Sequence, residues 1–305
     1  MTLDIDTGNR ANLLGSLWMI AAMAIFAIED AFIKAASVTV PIGQVLIIFG
    51  GGGAILFVLI ARAKHESLRN PDVLSKPMRV RVGFEIMGRL FYVLAIALIP
   101  LSAATVILQA TPLVVVAGAA IFFGEKVGWR RWTAIFVGLA GVLVIIQPGT
   151  DSFSALSILA LIGMFGFAGR DLASRAAPKS LSANVLGFYG FLSIVIAGVA
   201  YAVWESVPFV WPDAQTSVYL IGSIMAGVVA YACLMTAMRT GEVSTVTPFR
   251  YTRLIFGITL GVILFGEEIS AAMVAGSALI VVSGLFILWQ SKRARRIARQ
   301  STLAP

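Results

Sequence analysis

Long apolar stretches separated by short polar ones run along most of the chain. A membrane-spanning helix needs about 17 to 25 predominantly apolar residues. Windows of that length fit ten segments: 12–34, 41–62, 80–99, 101–123, 130–148, 153–175, 183–204, 216–238, 243–265 and 270–290. Connections as short as the one from Pro100 to Leu101 require neighbouring helices to turn back as antiparallel hairpins. The pattern predicts an all-α membrane protein with ten transmembrane helices.

The pattern occurs twice in the chain. Residues 23–36 return at 164–177, a shift of 141 that keeps Met, Phe, Ala and Asp in place. The Phe-Gly-Glu triplet that ends at Glu125 returns at Glu267, a shift of 142. Two matches at nearly one offset indicate a duplicated unit. We expect a cytoplasmic N-terminal segment over 1–11, five-helix repeats over 12–148 and 149–290, and a basic cytoplasmic tail over 291–305.

Positive charges predict how the repeats are oriented. Lys and Arg number one before the first segment, six between the second and third, three between the fourth and fifth, two between the sixth and seventh, one between the eighth and ninth, and five at the C-terminus. The other side carries Lys34 alone. Because basic loops stay in the cytoplasm, both termini should be cytoplasmic. Five spans per repeat is an odd number, so the second repeat is inverted, as in many secondary transporters.

Composition narrows the class. The chain is 59% hydrophobic and 12% charged, with a mean hydropathy of +0.94, which is typical of a membrane protein. The net charge of +8 comes from short basic blocks beside apolar segments, which argues against nucleic-acid binding. One cysteine, Cys233, and one histidine, His65, predict neither a disulfide nor a metal site. We expect no cofactor, and without a Gly-rich phosphate loop we expect transport without ATP.

The run from Ser102 to Pro112, closed by Phe122 to Glu125, resembles the fourth and fifth helices of an EamA domain in the drug/metabolite transporter superfamily. Ser244 to Pro248 and Phe265 to Glu267 repeat it in the second half. The resemblance covers about residues 14–290. It implies a ten-helix carrier for small metabolites in a bacterial-type inner membrane, most similar to exporters of amino acids, aromatic ones included.

Ionisable side chains inside predicted spans are candidates for the mechanism. Each costs about 2.5 to 3.5 kcal/mol on insertion scales, so it usually faces a cavity or a partner. Glu29 is one candidate, because the shift of 141 places it opposite Arg170, a reversal of charge. The candidates are Glu29, Asp30, Glu85, Arg89, Arg170, Asp171, Arg250 and Arg253.

Two of the acids have a basic residue four positions further on. Asp30 precedes Lys34, and Asp171 precedes Arg175, so each pair can meet on one helix face. One interpretation is structural pairing or snorkelling at a helix end. The other is gating or proton coupling. Duplication of the pair favours the structural interpretation.

Glu85 and Arg89 also lie four apart, but the second repeat lacks the pair. Their equivalents at a shift of 142 are Gly227 and Tyr231, so the shared fold does not require it. Arg89 is suited to a substrate carboxylate, which a guanidinium binds in a bidentate way. Glu85 would then bind an ammonium group or a proton. The alternative is an internal ion pair that joins helices.

Prolines inside two predicted spans mark candidate helix breaks, Pro112 and Pro248. Such a proline frees a backbone carbonyl, which is tolerated beside a cavity or a neighbouring polar group. Arg250 and Arg253 follow Pro248 and would join the freed groups in a polar pocket, unless one of them snorkels to the surface. Further candidates for lining the site are Tyr92, Gln109, Thr111, Tyr231 and Tyr251.

The leading hypothesis is a secondary transporter that exports amino acids, aromatic ones included, across the inner membrane by alternating access. Uptake or export of a vitamin, a nucleoside-like compound or a drug keeps the fold and changes the cargo. An intramembrane enzyme is the remote alternative, since no histidine lies near Cys233 in sequence and no G-x-S-x-G motif occurs. We expect the substrate and the lipid bilayer as partners, and a functional monomer.

Overall fold

A computed structural model describes residues 2–125, 127–149, 154–178, 180–240 and 242–301, with side chains except those of 2–9, 243, 244 and 291–301. Every regular element in these residues is helical. The α-helices are α1 Thr2–Ala36, α2 Ile42–Ala63, α3 Lys76–Leu98, α4 Leu101–Leu108, α5 Thr111–Phe123, α6 Trp129–Ile146, α7 Ser157–Arg175, α8 Ala183–Glu205, α9 Ala214–Thr240, α10 Val243–Val246, α11 Thr252–Phe265 and α12 Ala271–Ser301. Short 3-10 helices cover Pro71–Leu74 and Thr247–Tyr251.

Nine helices in the described residues are long and apolar enough to cross a membrane. They are Arg10–Ala36, Ile42–Ala63, Leu101–Phe123, Trp129–Ile146, Ser157–Arg175, Ala183–Glu205, Ala214–Thr240, Thr247–Phe265 and Ala271–Gln290. The expected third span, α3, has 23 residues but is more polar, because Arg81, Glu85 and Arg89 lie along it.

The two repeats pack against each other through four helix pairs. These pairs are α1 with α9, α2 with α8, α3 with α7, and α6 with α12. Each joins a helix of the first repeat to one of the second, and α7 against α3 is the repeated copy of α1 against α9. The side chains at the centre of this interface include Phe49, Tyr92, Ile107 and Met164, all at most 1% exposed. The apolar core therefore lies between the repeats.

Two of the expected spans contain a break. The segment 101–123 is divided into α4 and α5 at Gln109 and Ala110, and the segment 243–265 is divided by its 3-10 turn. The two breaks are equivalent, because Thr111 Oγ1 donates to the Leu108 carbonyl at 2.5 Å and Thr252 Oγ1 donates to the Phe249 carbonyl at 2.7 Å. Both partners of the second bond lie 141 residues after those of the first.

The prolines occupy different places at the two breaks. Pro112 lies in the first turn of α5, just after its break, whereas Pro248 lies in the 3-10 helix before α11. A proline in the first turn costs no hydrogen bond, because the N–H it lacks would be unpaired there. Both prolines therefore lie at the breaks, where the missing N–H costs no hydrogen bond.

Glycines let α3 and α7 approach closely. A Cβ added at Gly166 would overlap the Gly88 backbone, and one added at Gly163 would lie 2.9 Å from the Tyr92 nitrogen. This approach places the polar side chains of α3 against those of α7. The site described below depends on it.

We predict that Gly166→Ala lowers the free energy of unfolding by about 1–3 kcal/mol, the usual cost of overpacking a core. The matched control is Gly51→Ala in α2, where an added Cβ meets nothing within 4 Å and a helix-favouring residue should not destabilise. Unfolding in detergent, followed by tryptophan fluorescence, measures both. Equal loss in the two variants would contradict the packing described.

Candidate functional site

The charged side chains of the predicted spans gather between the repeats in two clusters. The α1 cluster contains Glu29, Asp30, Arg89, Tyr92 and Arg253. The α7 cluster contains Arg81, Glu85, Arg170, Asp171 and Arg250. Both clusters draw on α3, which contributes Arg89 and Tyr92 to one and Arg81 and Glu85 to the other.

The α1 cluster is closely paired. Arg89 Nη1 lies 2.8 Å from Glu29 Oε1, and Arg253 Nη2 lies 2.6 Å from Asp30 Oδ2. Tyr92 donates its hydroxyl to the same Asp30 oxygen at 2.9 Å. Two carboxylates and two guanidiniums make the cluster neutral overall. Its acids are essentially closed to solvent, with Glu29 at 0% and Asp30 at 1% side-chain exposure.

The α7 cluster is looser and more exposed. Arg170 lies 2.8 Å from Asp171 and 3.4 Å from Glu85, and Arg81 lies 3.6 Å from Glu85. Arg250 Nη2 comes no nearer than 4.0 Å to Asp171 Oδ2 and is 33% exposed. Three guanidiniums face two carboxylates, so the cluster carries one surplus positive charge.

Phe167 lies between the two clusters. Its ring is 4.6 Å from the Arg170 guanidinium and 5.8 Å from that of Arg89, and it meets the Tyr92 ring edge-on at 5.8 Å. Cation–π contact stabilises a guanidinium above an aromatic face. The ring therefore separates the closed cluster from the exposed one.

The structure corrects three pairings expected from four-residue spacing. Asp30 pairs with Arg253 and not with Lys34, and Glu85 pairs with Arg81 and Arg170 and not with Arg89. The physical reason is that helix packing brings Arg253 to Asp30 and Arg170 to Glu85 from other helices, while Arg81 reaches Glu85 from the preceding turn of α3.

The expected pair of Asp171 and Arg175 is replaced in the same way. Asp171 faces Arg170 and Arg250, while Arg175 lies 2.5 Å from Glu125 at the end of the bundle. Both partners of this second pair are about half exposed. Lys34, the equivalent of Arg175, is instead partly buried at the opposite end.

The remaining candidate residues lie around the clusters. Gln109 Nε2 donates to the Arg250 carbonyl at 3.0 Å and so joins the two breaks. Thr111 donates its hydroxyl to the Leu108 carbonyl at the break between α4 and α5. Tyr231 donates to the Ala183 carbonyl at 3.3 Å. The buried hydroxyl of Tyr251 has no hydrogen-bond partner among the described residues and packs against Gly284 of α12.

Two residues were not among the sequence candidates. Arg81 lies near the start of α3 beside a basic loop, so the sequence does not distinguish it from the charges of that loop. The sequence marks Glu267 only as part of a repeated triplet at a helix end. In the structure Glu267 accepts hydrogen bonds from the backbone N–H of Leu101 and Ser102. The duplication of the triplet was the signal that could have identified it.

Nothing in the described residues suggests a metal centre. They contain no group of three His, Cys, Asp or Glu side chains that could hold an ion. The clusters instead offer charged hydrogen-bond donors and acceptors, which suit the binding of a small charged molecule and the exchange of ion pairs.

Two halves of this chain match one family. The profile of the EamA-like transporter family matches residues 13–147 and again residues 155–289. A solved crystal structure with 20% sequence identity superposes with a TM-score of 0.61 over 92% of this chain and 98% of the other, which shows a shared fold. The chain belongs to the EamA-like transporter family. It is a multi-pass membrane transporter of the bacterial inner membrane.

Curated relatives carry different cargoes. The chain is 26% identical to a riboflavin transporter of Vibrio cholerae over 93% of its own length and 96% of the relative's. It is 29% identical to a pseudopaline exporter of Pseudomonas aeruginosa, over 88% and 94%. It is 23% identical to an S-adenosylmethionine uptake transporter of Rickettsia bellii, over 68% and 70%. These similarities show a membrane transporter of the EamA type, but they do not show the expected transport of amino acids.

We predict that Arg253→Gln destabilises the protein by about 3–5 kcal/mol, because it leaves the buried Asp30 carboxylate without its cation. The double variant Asp30→Asn with Arg253→Gln should recover most of this loss. Glu125→Gln with Arg175→Gln provides the exposed comparison, expected to cost less than about 1 kcal/mol. Chemical unfolding in micelles measures all three. Similar losses for the buried and exposed pairs would show that burial of the α1 cluster is wrongly assigned.

Proposed function

We propose that this protein is a secondary carrier for a small metabolite that bears a carboxylate group. The observation that carries the proposal is Arg250, whose side chain is one-third exposed and whose guanidinium lies 4.0 Å from the Asp171 carboxylate. Arg170 shares that carboxylate at 2.8 Å, so Arg250 retains capacity for a second anion. A guanidinium binds a carboxylate through two parallel hydrogen bonds.

Amino acids, aromatic ones included, are the first cargo to test. Asp171 and Glu85 lie beside Arg250 and Arg170 and would bind an ammonium group next to the bound carboxylate. The Phe167 ring, already packed against Arg170, offers an apolar surface to a side chain. Export is the proposed direction, as in the pseudopaline exporter.

Riboflavin, or a compound with a similar flat ring, is the second candidate cargo. It is favoured by the similarity to the riboflavin transporter, which extends over 93% of this chain. Uptake is the alternative direction, supported by the S-adenosylmethionine uptake transporters. Both alternatives use the same charged clusters between the repeats.

We further propose that α3 is a tenth span and that both termini are cytoplasmic. The charges that make α3 polar point to partners on other helices, as the Glu29 and Arg170 contacts indicate, so lipid does not meet them. The distribution of basic loops gives the orientation. The exposed pair of Arg175 and Glu125 then lies at the cytoplasmic end, and the α7 cluster is reached from the cytoplasm.

Fusions test this topology. We predict that alkaline phosphatase fused after residue 210 is active and that a fluorescent protein at the C-terminus fluoresces, because the first lies outside and the second inside. A phosphatase fusion at residue 66 is the inactive control. If α3 did not cross the membrane, both results would be reversed, with an inactive fusion at 210 and no fluorescence.

Counterflow in proteoliposomes tests the cargo. We predict saturable exchange of labelled phenylalanine and an increase in KM of about tenfold or more in Arg250→Gln, the effect of losing a hydrogen bond to a charged group. Arg250→Lys should restore part of the affinity, since it keeps the charge and loses the bidentate geometry.

The control for this experiment is Arg130→Gln, an exposed residue at the start of α6 that belongs to neither cluster. Its KM should match that of the parent. An unchanged KM in Arg250→Gln would remove Arg250 from the site. Exchange of riboflavin without exchange of any amino acid would replace the first cargo by the second.

A further inference from the structure

The turn between α3 and α4 leaves two helix ends to be satisfied. The last carbonyls of α3 and the first N–H groups of α4 have no partner within their own helices. Lys34 Nζ donates to the carbonyls of Ile96 and Ile99 at 2.8 and 2.7 Å. Its positive charge also suits the C-terminal end of the α3 dipole.

Glu267 satisfies the other end. Its Oε1 accepts from Leu101 N–H at 2.5 Å and its Oε2 accepts from Ser102 N–H at 2.9 Å. Lys34 lies 3.9 Å from the same carboxylate. Because α1 and α4 belong to the first repeat and Glu267 to the second, these contacts join the repeats. We name Lys34, Glu267 and the N–H groups of Leu101 and Ser102 the Glu267 latch.

The opposite end of the bundle carries equivalent residues in a different arrangement. Glu125 is the equivalent of Glu267, as shown by its N–H bond to the Ala119 carbonyl, which matches that of Glu267 to Gly261. Glu125 and Arg175 are 45% and 51% exposed, whereas Glu267 and Lys34 are 8% and 15% exposed. At these residues one end is closed to solvent and the other is open to it, and we call them the closed end and the open end.

The glycine at position 261, which is an alanine in the first repeat, explains why Glu267 reaches the neighbouring helix end and Glu125 does not. A Cβ added at Gly261 would overlap Glu267 Oε2, so the carboxylate reaches α4 only because residue 261 lacks a side chain. The equivalent residue in the first repeat is Ala119, which already carries that carbon. Gly257 helps in the same way, since a Cβ there would lie 2.6 Å from Thr105 of α4.

We propose that the Glu267 latch sets the resting conformation of the carrier by holding one end closed, and that Gly261 in place of alanine is what confines the latch to that end. The latch releases when the repeats rotate to open this end. The proposal rests on the proposed transport function, but it concerns the conformational equilibrium without cargo and so can be tested without knowing the substrate.

The test measures how fast a thiol at the closed end reacts. Ser102 is fully buried beneath the latch, and Ser102→Cys keeps the backbone N–H that Glu267 binds. The full chain with Cys233→Ser and Ser102→Cys is purified in detergent and labelled with a hydrophilic maleimide. We expect Glu267→Gln and Gly261→Ala each to accelerate labelling by about tenfold or more, because hydrogen bonds to a charged group are lost.

The matched control is Glu125→Gln, which removes the equivalent carboxylate from the open end and should leave the labelling rate of Ser102→Cys within about twofold of the parent. Elution as a single species on size exclusion shows that each variant is folded, and Gly261→Ala stands in if Glu267→Gln fails this criterion. Unchanged labelling in the latch variants, or equal acceleration by Glu125→Gln, would overturn the proposal.

A variant with its two charges exchanged distinguishes the Glu267 latch from a simple ion pair between Lys34 and Glu267. In Lys34→Glu with Glu267→Lys the attraction between the two side chains is retained. The contacts with the ends of α3 and α4 become repulsive, because a carboxylate then faces carbonyls and an ammonium faces N–H groups. We expect Ser102→Cys to be labelled as fast in this exchange variant as in Glu267→Gln. Slow labelling like that of the parent would show that the ion pair alone closes this end.

Discussion

A carboxylate in an apolar interior requires a cation close by, and Asp30 obtains its cation from the other repeat. The ion pair with Arg253 fixes α1 against α11, and the hydroxyl of Tyr92 ties α3 to the same oxygen. Placing α11 also places the 3-10 turn before it, and with that turn Arg250. The exposed guanidinium of the candidate site is therefore held in position by a pair that is itself closed to solvent.

The duplication determines the helical architecture, and the differences between the two repeats determine how their charged residues are paired. Asp30 and Asp171 occupy equivalent positions, but the first is closed in by Arg253, while the second shares Arg170 with Glu85 and lies 4.0 Å from Arg250, the residue that we propose binds the cargo. A carrier needs a frame that works in two orientations and one binding surface that serves both. A duplicated unit supplies the first when its copies are inverted, as we propose here, and the differences between the copies supply the second.

The sequence predicted the helical architecture well, because length and apolar composition are properties of one segment at a time. It predicted the partners of the charges poorly. Spacing shows that Glu85 and Arg89 share a helix face, but only packing shows that Arg89 faces Glu29 and that Glu85 faces Arg170. Glu267 was missed for a related reason, since its partners are backbone N–H groups of a helix 165 residues away in sequence, and backbone groups carry no sequence signal.

The hydrogen bond from Gln109 to the Arg250 carbonyl has one more consequence. The two residues are equivalent at the shift of 141, and a contact between equivalent positions must lie close to the pseudo-twofold axis that relates the repeats. A contact on this axis is nearly its own equivalent, so an exchange of roles between the two repeats leaves its place at the centre of the protein unchanged. The two broken helices therefore meet near this axis, and the cargo site that we propose at Arg250 lies beside the contact that both repeats share.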